Sequence, residues 1–232
     1  MQSASPEHLS PPALDAVRAT VAVALPLSSE DQARADLYAL AARLLLAPPG
    51  EELLGQLASA DPILSEGGDP SLEKAWEKLV LASSVMDAEA VRAEFDSLFV
   101  SDGTPKLNPY GSLYLSGFMN DTPLAELRGD LARFGIQRMR GVGEFEDHLG
   151  ALCETMRVLI AGGTAGNHTI RRRSHQEQQA FFEARIAPWY ARCLGDIAQA
   201  EGANYYRLVA AFVGALLEIE ADAFVVEEGF DD

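Results

Sequence analysis

Apolar residues recur at helical spacing along nearly the whole chain, separated by clear start and stop signals. Leu37, Leu40, Ala41, Leu44 and Leu45 fall on one helical face, and Pro48-Pro49-Gly50 ends the run. Ser28-Ser29-Glu30-Asp31-Gln32 supplies a capping-box start. Glu51–Ser59 predicts a short helix, and Asp69 as N-cap with Pro70 at the first helical position opens another, through about Met86. Asp87 begins the next, with Val91, Phe95, Leu98 and Phe99 on one face. No segment sustains period-two alternation, and there is no internal repeat. The expected fold class is all-α: a compact helical globule of about ten helices.

Residues 1–28, with Pro6, Pro11, Pro12 and Pro26, read as a loosely ordered leader. An N-terminal helical part is expected over 29–100 and a C-terminal one over 110–232, packed as one unit. The stretch SDGTPKLNP, 101–109, is turn chemistry and the expected hinge between them. Beyond it, Tyr110–Met119 predicts a short aromatic helix, with Tyr110, Tyr114 and Phe118 on one face. Thr122-Pro123 starts a helix ending at Gly135, and Phe145–Ala161 is read as another. Gly162–Asn167 reads as a flexible loop, followed by Arg171-Arg172-Arg173 as internal salt-bridge donors or a solvated face. The last helices are expected from about Ser174 to Glu201, bent at Pro188, and from about Ala203 to Val226.

Charge restricts the partners. Asp plus Glu number 35 against 18 Lys plus Arg, a net charge of -17, which repels phosphate backbones and attracts cationic partners. Nucleic acid is therefore disfavoured and a basic peptide or protein favoured. No window approaches the roughly 18 uninterrupted apolar residues of a membrane helix. Neither that nor a secretory signal is visible, so a cytoplasmic location and no stable membrane insertion are expected. Cys153 and Cys193 sit in apolar helical contexts and read as small buried hydrophobes.

The stretch GEFEDHLGALCETM, 143–156, sets Glu144, Glu146, Asp147 and His148 just before an apolar run. Three chemistries fit. Acids near a helix N-terminus complement its dipole and exposed amides. Glu144, Asp147 and His148 could serve a metal-dependent hydrolase. An anionic notch rimmed by apolar residues could receive a cationic ligand. The remaining histidines (His8, His168, His175) stand in the leader or near a loop, and no phosphate-cradling loop or nucleophile motif accompanies the cluster. No cofactor is expected. A further alternative is an acidic adaptor acting through Glu218–Asp232.

Taken in order, these motifs resemble the TorD/DmsD family of cytoplasmic redox-enzyme maturation chaperones. The matching residues are Leu37-Tyr38-x-Leu40, Glu94-Phe95-x-x-Leu98-Phe99, Pro109-Tyr110-x-Ser112-x-Tyr114, Gly135, Asp147-His148-Leu149, and Phe182 with Pro188-Trp189. The chain departs from the family pattern at Phe145 and Leu152. The resemblance spans about 31–224 and implies a helical fold with a hinge, sometimes assembled as a domain-swapped homodimer. It implies a non-enzymatic role, in which the protein binds the twin-arginine signal peptide of a molybdoenzyme, such as formate dehydrogenase or dimethyl sulfoxide reductase, and holds it for cofactor insertion before export. By the same resemblance, Asp147, His148, Pro109, Tyr110, Ser112 and Tyr114 contribute to peptide binding, with Leu98, Phe99 and Tyr38 as weaker contributors. Glu144 and Glu146 add carboxylates suited to guanidinium groups.

Overall fold

The first helix, α1 (Ser29–Leu46), starts where the Ser28 hydroxyl accepts the Asp31 N–H at 3.0 Å, and it ends in extended backbone at Ala47. The computed structural model describes residues 26–63, 70–100, 104–137, 144–165 and 168–228. After the Pro48-Pro49-Gly50 corner come α2 (Glu51–Ala58), α3 (Ser71–Val85) and α4 (Ala88–Phe95). Asp87 caps α4 by accepting the Ala90 N–H at 2.8 Å, and α4 continues into a π-helical turn, Asp96–Val100. Then follow α5 (Gly111–Ser116), α6 (Thr122–Phe134), α7 (Leu149–Ala161), α8 (His175–Arg185), α9 (Tyr190–Gln199) and α10 (Tyr205–Glu228). Between α7 and α8, β1 (Gly163–Ala165) and β2 (His168–Ile170) form a small antiparallel ribbon. Among the described residues the fold is all-α apart from that ribbon, as its sequence spacing leads one to expect.

One buried apolar cluster draws on both sides of the expected hinge. The helix α1 lies along α7, α3 packs against α2 and α10, and α9 packs against α10. The α1–α7 crossing is close: a Cβ added to Gly150 would stand 2.8 Å from Leu46 Cγ and 3.0 Å from Leu45 Cβ. Cys153 and Cys193 are both buried and unbridged, and desolvation pushes each thiol up to about 12.

Two long-range polar links tie α4 and α1 to α10. The Glu94 carboxylate on α4 accepts the backbone N–H groups of Asn204, Tyr205 and Tyr206 at 2.9, 3.0 and 2.7 Å. It supplies the acceptor and the negative charge that the start of α10 lacks partners for. On α1, Arg34 forks onto Glu220 of α10 at 2.7 and 2.9 Å, and the Tyr38 hydroxyl donates to the same carboxylate at 3.2 Å. A buried carboxylate is tolerable only when paired in this way. Burial opposes the Arg34 charge, but the Glu220 hydrogen bond and charge more than offset it and raise the guanidinium pKa.

Several expectations are corrected. The helix read from Phe145 begins at Leu149, because His148 adopts extended backbone (φ -63, ψ 134) and caps it. The acids of the cluster therefore precede the helix, and none lies in its first turn. The aromatic helix ends at Ser116, because Gly117 turns left-handed at φ 83, and Phe118 leaves the Tyr110/Tyr114 face. The stretch expected to bend at Pro188 is broken there into α8 and α9. The glycine loop carries part of the ribbon, with the register Gly163 opposite Ile170. The acidic stretch 218–228 is not a free tail: it completes α10, with Glu220 and Phe224 buried and Ile219 and Val225 exposed. Arg173 does act internally: it stacks over Phe134 at 5.0 Å, donates to its carbonyl at 3.0 Å and approaches Glu177 at 3.6 Å. The leader residues 1–25, Asp69, hinge residues 101–103 and the chain end 229–232 lie outside the described residues.

Candidate functional site

Residues 109–111 run antiparallel to residues 147–149. The Gly111 N–H donates to the Asp147 carbonyl and the Leu149 N–H donates to the Pro109 carbonyl, both at 2.9 Å, so that Tyr110 and His148 form an isolated bridge pair. Each piece leads directly into a helix, Tyr110 into α5 and His148 into α7.

Side chains then reinforce both helix starts. Asp147 Oδ2 accepts the Ser112 N–H at 2.8 Å, and His148 Nδ1 accepts the Gly150 N–H at 3.0 Å. Both groups satisfy first-turn amides that have no partner within their helix. Asp147 and His148 are only 3% and 5% exposed, so they form the inside of this seam rather than its surface. Burial pushes the His148 pKa down to about 4 against the opposing pull of Glu144 and Asp147, which keeps the imidazole neutral and its Nδ1 an acceptor. Asp147 Oδ1 is buried with no hydrogen-bond partner among the described residues.

The backbone must come close here. A Cβ on Gly111 would stand 3.2 Å from the Trp189 indole, which in turn stacks on Tyr114 at 5.4 Å. Trp189 itself is buried and donates its indole N–H to the Arg185 carbonyl at 2.7 Å. Tyr114 donates to Asp196 at 2.7 Å and lies under Arg192 at 5.8 Å.

The rim of the seam is made by Glu144, Glu146 and Tyr110. Tyr110 donates its phenolic O–H to Glu144, and burial followed by that carboxylate raises the phenol pKa. Its ring meets Phe145 at 6.1 Å and His148 at 5.1 Å, both edge-on. Glu146 receives a two-pronged bond from Arg128 of α6, at 3.1 and 2.9 Å. Leu115 in the last turn of α5, and Phe118 and Met119 just beyond it, are 42%, 72% and 41% exposed.

Pro109, Tyr110, Ser112, Glu144, Glu146, Asp147 and His148 are thus brought together, and Tyr114 lies a turn further along. The other three are elsewhere. Leu98 is buried in the core, and Phe99 packs on Phe95 at 5.0 Å and Tyr206 at 5.2 Å. Tyr38 is fully buried against Glu220. Sequence reasoning missed Arg128, which carries no local motif, and Leu115 and Met119, which stand in the aromatic stretch but off its Tyr110/Tyr114 face. It also passed over Gly111 and Gly150, although each stands beside a motif residue. Among the described residues no group of three or more His, Cys, Asp or Glu side chains is placed to hold a metal ion. In the trio Glu144, Asp147 and His148, Glu144 accepts the Tyr110 hydroxyl, while Asp147 and His148 accept the Ser112 and Gly150 amides.

The family model of the nitrate reductase delta subunit matches residues 65–194, more than half of the chain. The chain belongs to that family. Its matched span holds every expected site residue except Tyr38. The chaperone protein TorD of Vibrio parahaemolyticus is 25% identical over 167 residues, covering 67% of this chain and 76% of that protein. The crystal structure of a redox enzyme maturation protein from Archaeoglobus fulgidus superposes with a TM-score of 0.52 at 16% identity, covering 85% of this chain and 96% of that one. The resemblance to the TorD/DmsD family drawn from the motifs is thereby borne out. No helix among the described residues is long and apolar enough to cross a membrane.

Proposed function

We propose that this member of the delta-subunit family is a cytoplasmic maturation chaperone that binds the twin-arginine leader of a molybdoenzyme precursor. It holds the leader until the cofactor is inserted, and performs no covalent chemistry. Family membership and the likeness to a protein named as a TorD chaperone support the class of role. The observation that carries the leader reading is the seam. Two carboxylates, Glu144 and Glu146, stand on its rim, and exposed apolar side chains, Leu115 in the last turn of α5 with Phe118 and Met119 just beyond it, lie towards the far end of that helix.

A six-residue helix spans about 9 Å, so a leader with a cationic end followed by an apolar stretch can reach both features. Guanidinium groups meet the rim carboxylates through directional charge-assisted bonds, and the apolar stretch covers the exposed apolar side chains. Asp147 and His148 act beneath, by fixing the loop that carries both glutamates. The net charge of -17 steers such a peptide in from a distance, an effect that salt screens.

The test is calorimetric titration with a synthetic twin-arginine leader and with a copy whose two arginines are lysines. Binding that favours arginine, weakens with salt and weakens in Glu144→Gln is expected. No binding of several leaders at low salt would overturn the reading.

A further inference from the structure

The fork from Arg128 to Glu146 stands out in a chain with 35 acids and only 18 basic residues. Arg128 offers Nε and Nη2 to the two carboxylate oxygens at 3.1 and 2.9 Å, and that hydrogen bond raises its own pKa. Its side chain is 43% exposed, whereas that of Glu146 is 13% exposed. The simplest role for such a pair would be to tether the 144–148 loop to α6. The loop, however, is already fixed by other bonds. Its backbone is held by Gly111 to Asp147 and by Leu149 to Pro109, and its side chains by Asp147 to Ser112 and His148 to Gly150. An ion pair open to solvent on one side, as this one is on the Arg128 side, adds about 1 kcal/mol to that.

We propose that Arg128 is a built-in stand-in for a ligand guanidinium, and that leader binding proceeds by exchange at Glu146. This rests on the leader reading given above. The fork on Glu146 is the geometry in which a planar guanidinium meets a carboxylate, and an ammonium cannot reproduce it. A cationic peptide reaches Glu146 only in the fraction of molecules whose Arg128 has swung away. The observed dissociation constant is then the intrinsic one divided by that fraction, for every peptide alike.

The experiment titrates the arginine leader and its lysine copy into wild type, Arg128→Lys, Arg128→Ala and Arg133→Ala. Arg133 lies on the same helix, paired with Asp130, with its side chain 75% exposed, and it controls for loss of one positive charge. Arg128→Ala should tighten both peptides by the same factor, roughly two- to fivefold. Arg128→Lys should give part of that gain although it keeps the charge, and Arg133→Ala should give less. Unchanged or weaker binding in Arg128→Ala, with its melting temperature kept, overturns the exchange idea alone. So does a gain confined to the variants that lose charge. Failure of wild type and every variant to bind either peptide overturns the leader reading and this inference with it.

Discussion

The Asp147 carboxylate accepts the Ser112 N–H at 2.8 Å, so a residue preceding α7 holds the first turn of α5 across 35 positions of sequence. Replacing Asp147 separates its structural part from any direct contact with a peptide. Asp147→Ala leaves the buried Ser112 amide without its acceptor and should cost about 1–3 kcal/mol. Asp147→Asn keeps an acceptor oxygen and should cost less. If Asp147 only positions the loop, the Asn variant holds leader affinity within about threefold while the Ala variant loses more. Loss of binding in a stably folded Asn variant would instead put the carboxylate in contact with the peptide. Thermal melts paired with titration decide this.

The neighbouring His148 makes stability depend on pH. Its folded pKa, lowered by burial to about 4, lies below the ordinary 6.5. Above the ordinary value both folded and unfolded forms are neutral, and the group contributes no slope. As pH falls from 6.5 towards 4, the unfolded chain binds a proton that the folded one refuses, and stability drops by roughly 3 kcal/mol. Asn is also a good N-cap and does not titrate. His148→Asn should therefore fold and should flatten the acid limb of a plot of melting temperature against pH. Glu144, Asp147 and Tyr110, which face the ring, stay in place, so the difference between the two curves isolates the imidazole. Identical curves would count against a titrating role for His148.

The start of α10 offers a second capping test, remote from the seam. Glu94→Ala removes the acceptor of three backbone N–H groups and should destabilise by about 2 kcal/mol, a fall of roughly 4–8 °C in Tm. Glu94→Gln should recover part of it, since an amide oxygen still accepts but carries no charge for the dipole. Leader affinity should not change in the Gln variant, because the site lies elsewhere.

How much of this was legible depended on whether a residue's partner is local. Ser28 and Asp87 cap the helices they immediately precede, and both starts were readable from three or four letters. Glu94 stood in a recognisable motif, yet its role was hidden because its partners follow more than a hundred positions later. The same holds for the seam. The grouping of Asp147 and His148 with Tyr110 and Ser112 came from a family resemblance, but nothing in the spacing told that the acid and imidazole face inward. Extrapolating a period of four through Gly117 placed Phe118 on the Tyr110 face. A left-handed glycine resets the phase, and the ring points to solvent instead. The ribbon was missed because three-residue strands are too short to show alternation.

Gly150 tests how tightly α7 must approach α1 to hold the seam. A methyl group there meets Leu46 at 2.8 Å and the Cβ of Leu45 at 3.0 Å, and the second contact has little freedom to yield. Gly150→Ala should thus cost about 1–3 kcal/mol by overpacking, although alanine is the better helix former. A gain in Tm would show that the two helices separate easily.

Phe118 gives the cleanest probe of the apolar half of the leader reading. It is 72% exposed, and its backbone carbonyl accepts the Ser116 hydroxyl, a bond that does not involve the ring. Phe118→Ser should leave stability within about 0.5 kcal/mol. A phenyl ring covered by a bound peptide is worth roughly 1.5–3 kcal/mol, so leader affinity should drop about tenfold or more. Val85, 74% exposed on α3, serves as the control, because Val85→Ser removes an equally exposed apolar side chain away from the seam. A general loss of stickiness would weaken both variants alike. Weakening in Phe118→Ser alone would place the apolar stretch of the leader on the α5–α6 turn. Unchanged affinity in both would leave the rim carboxylates with the cationic end and move the apolar contact to another face.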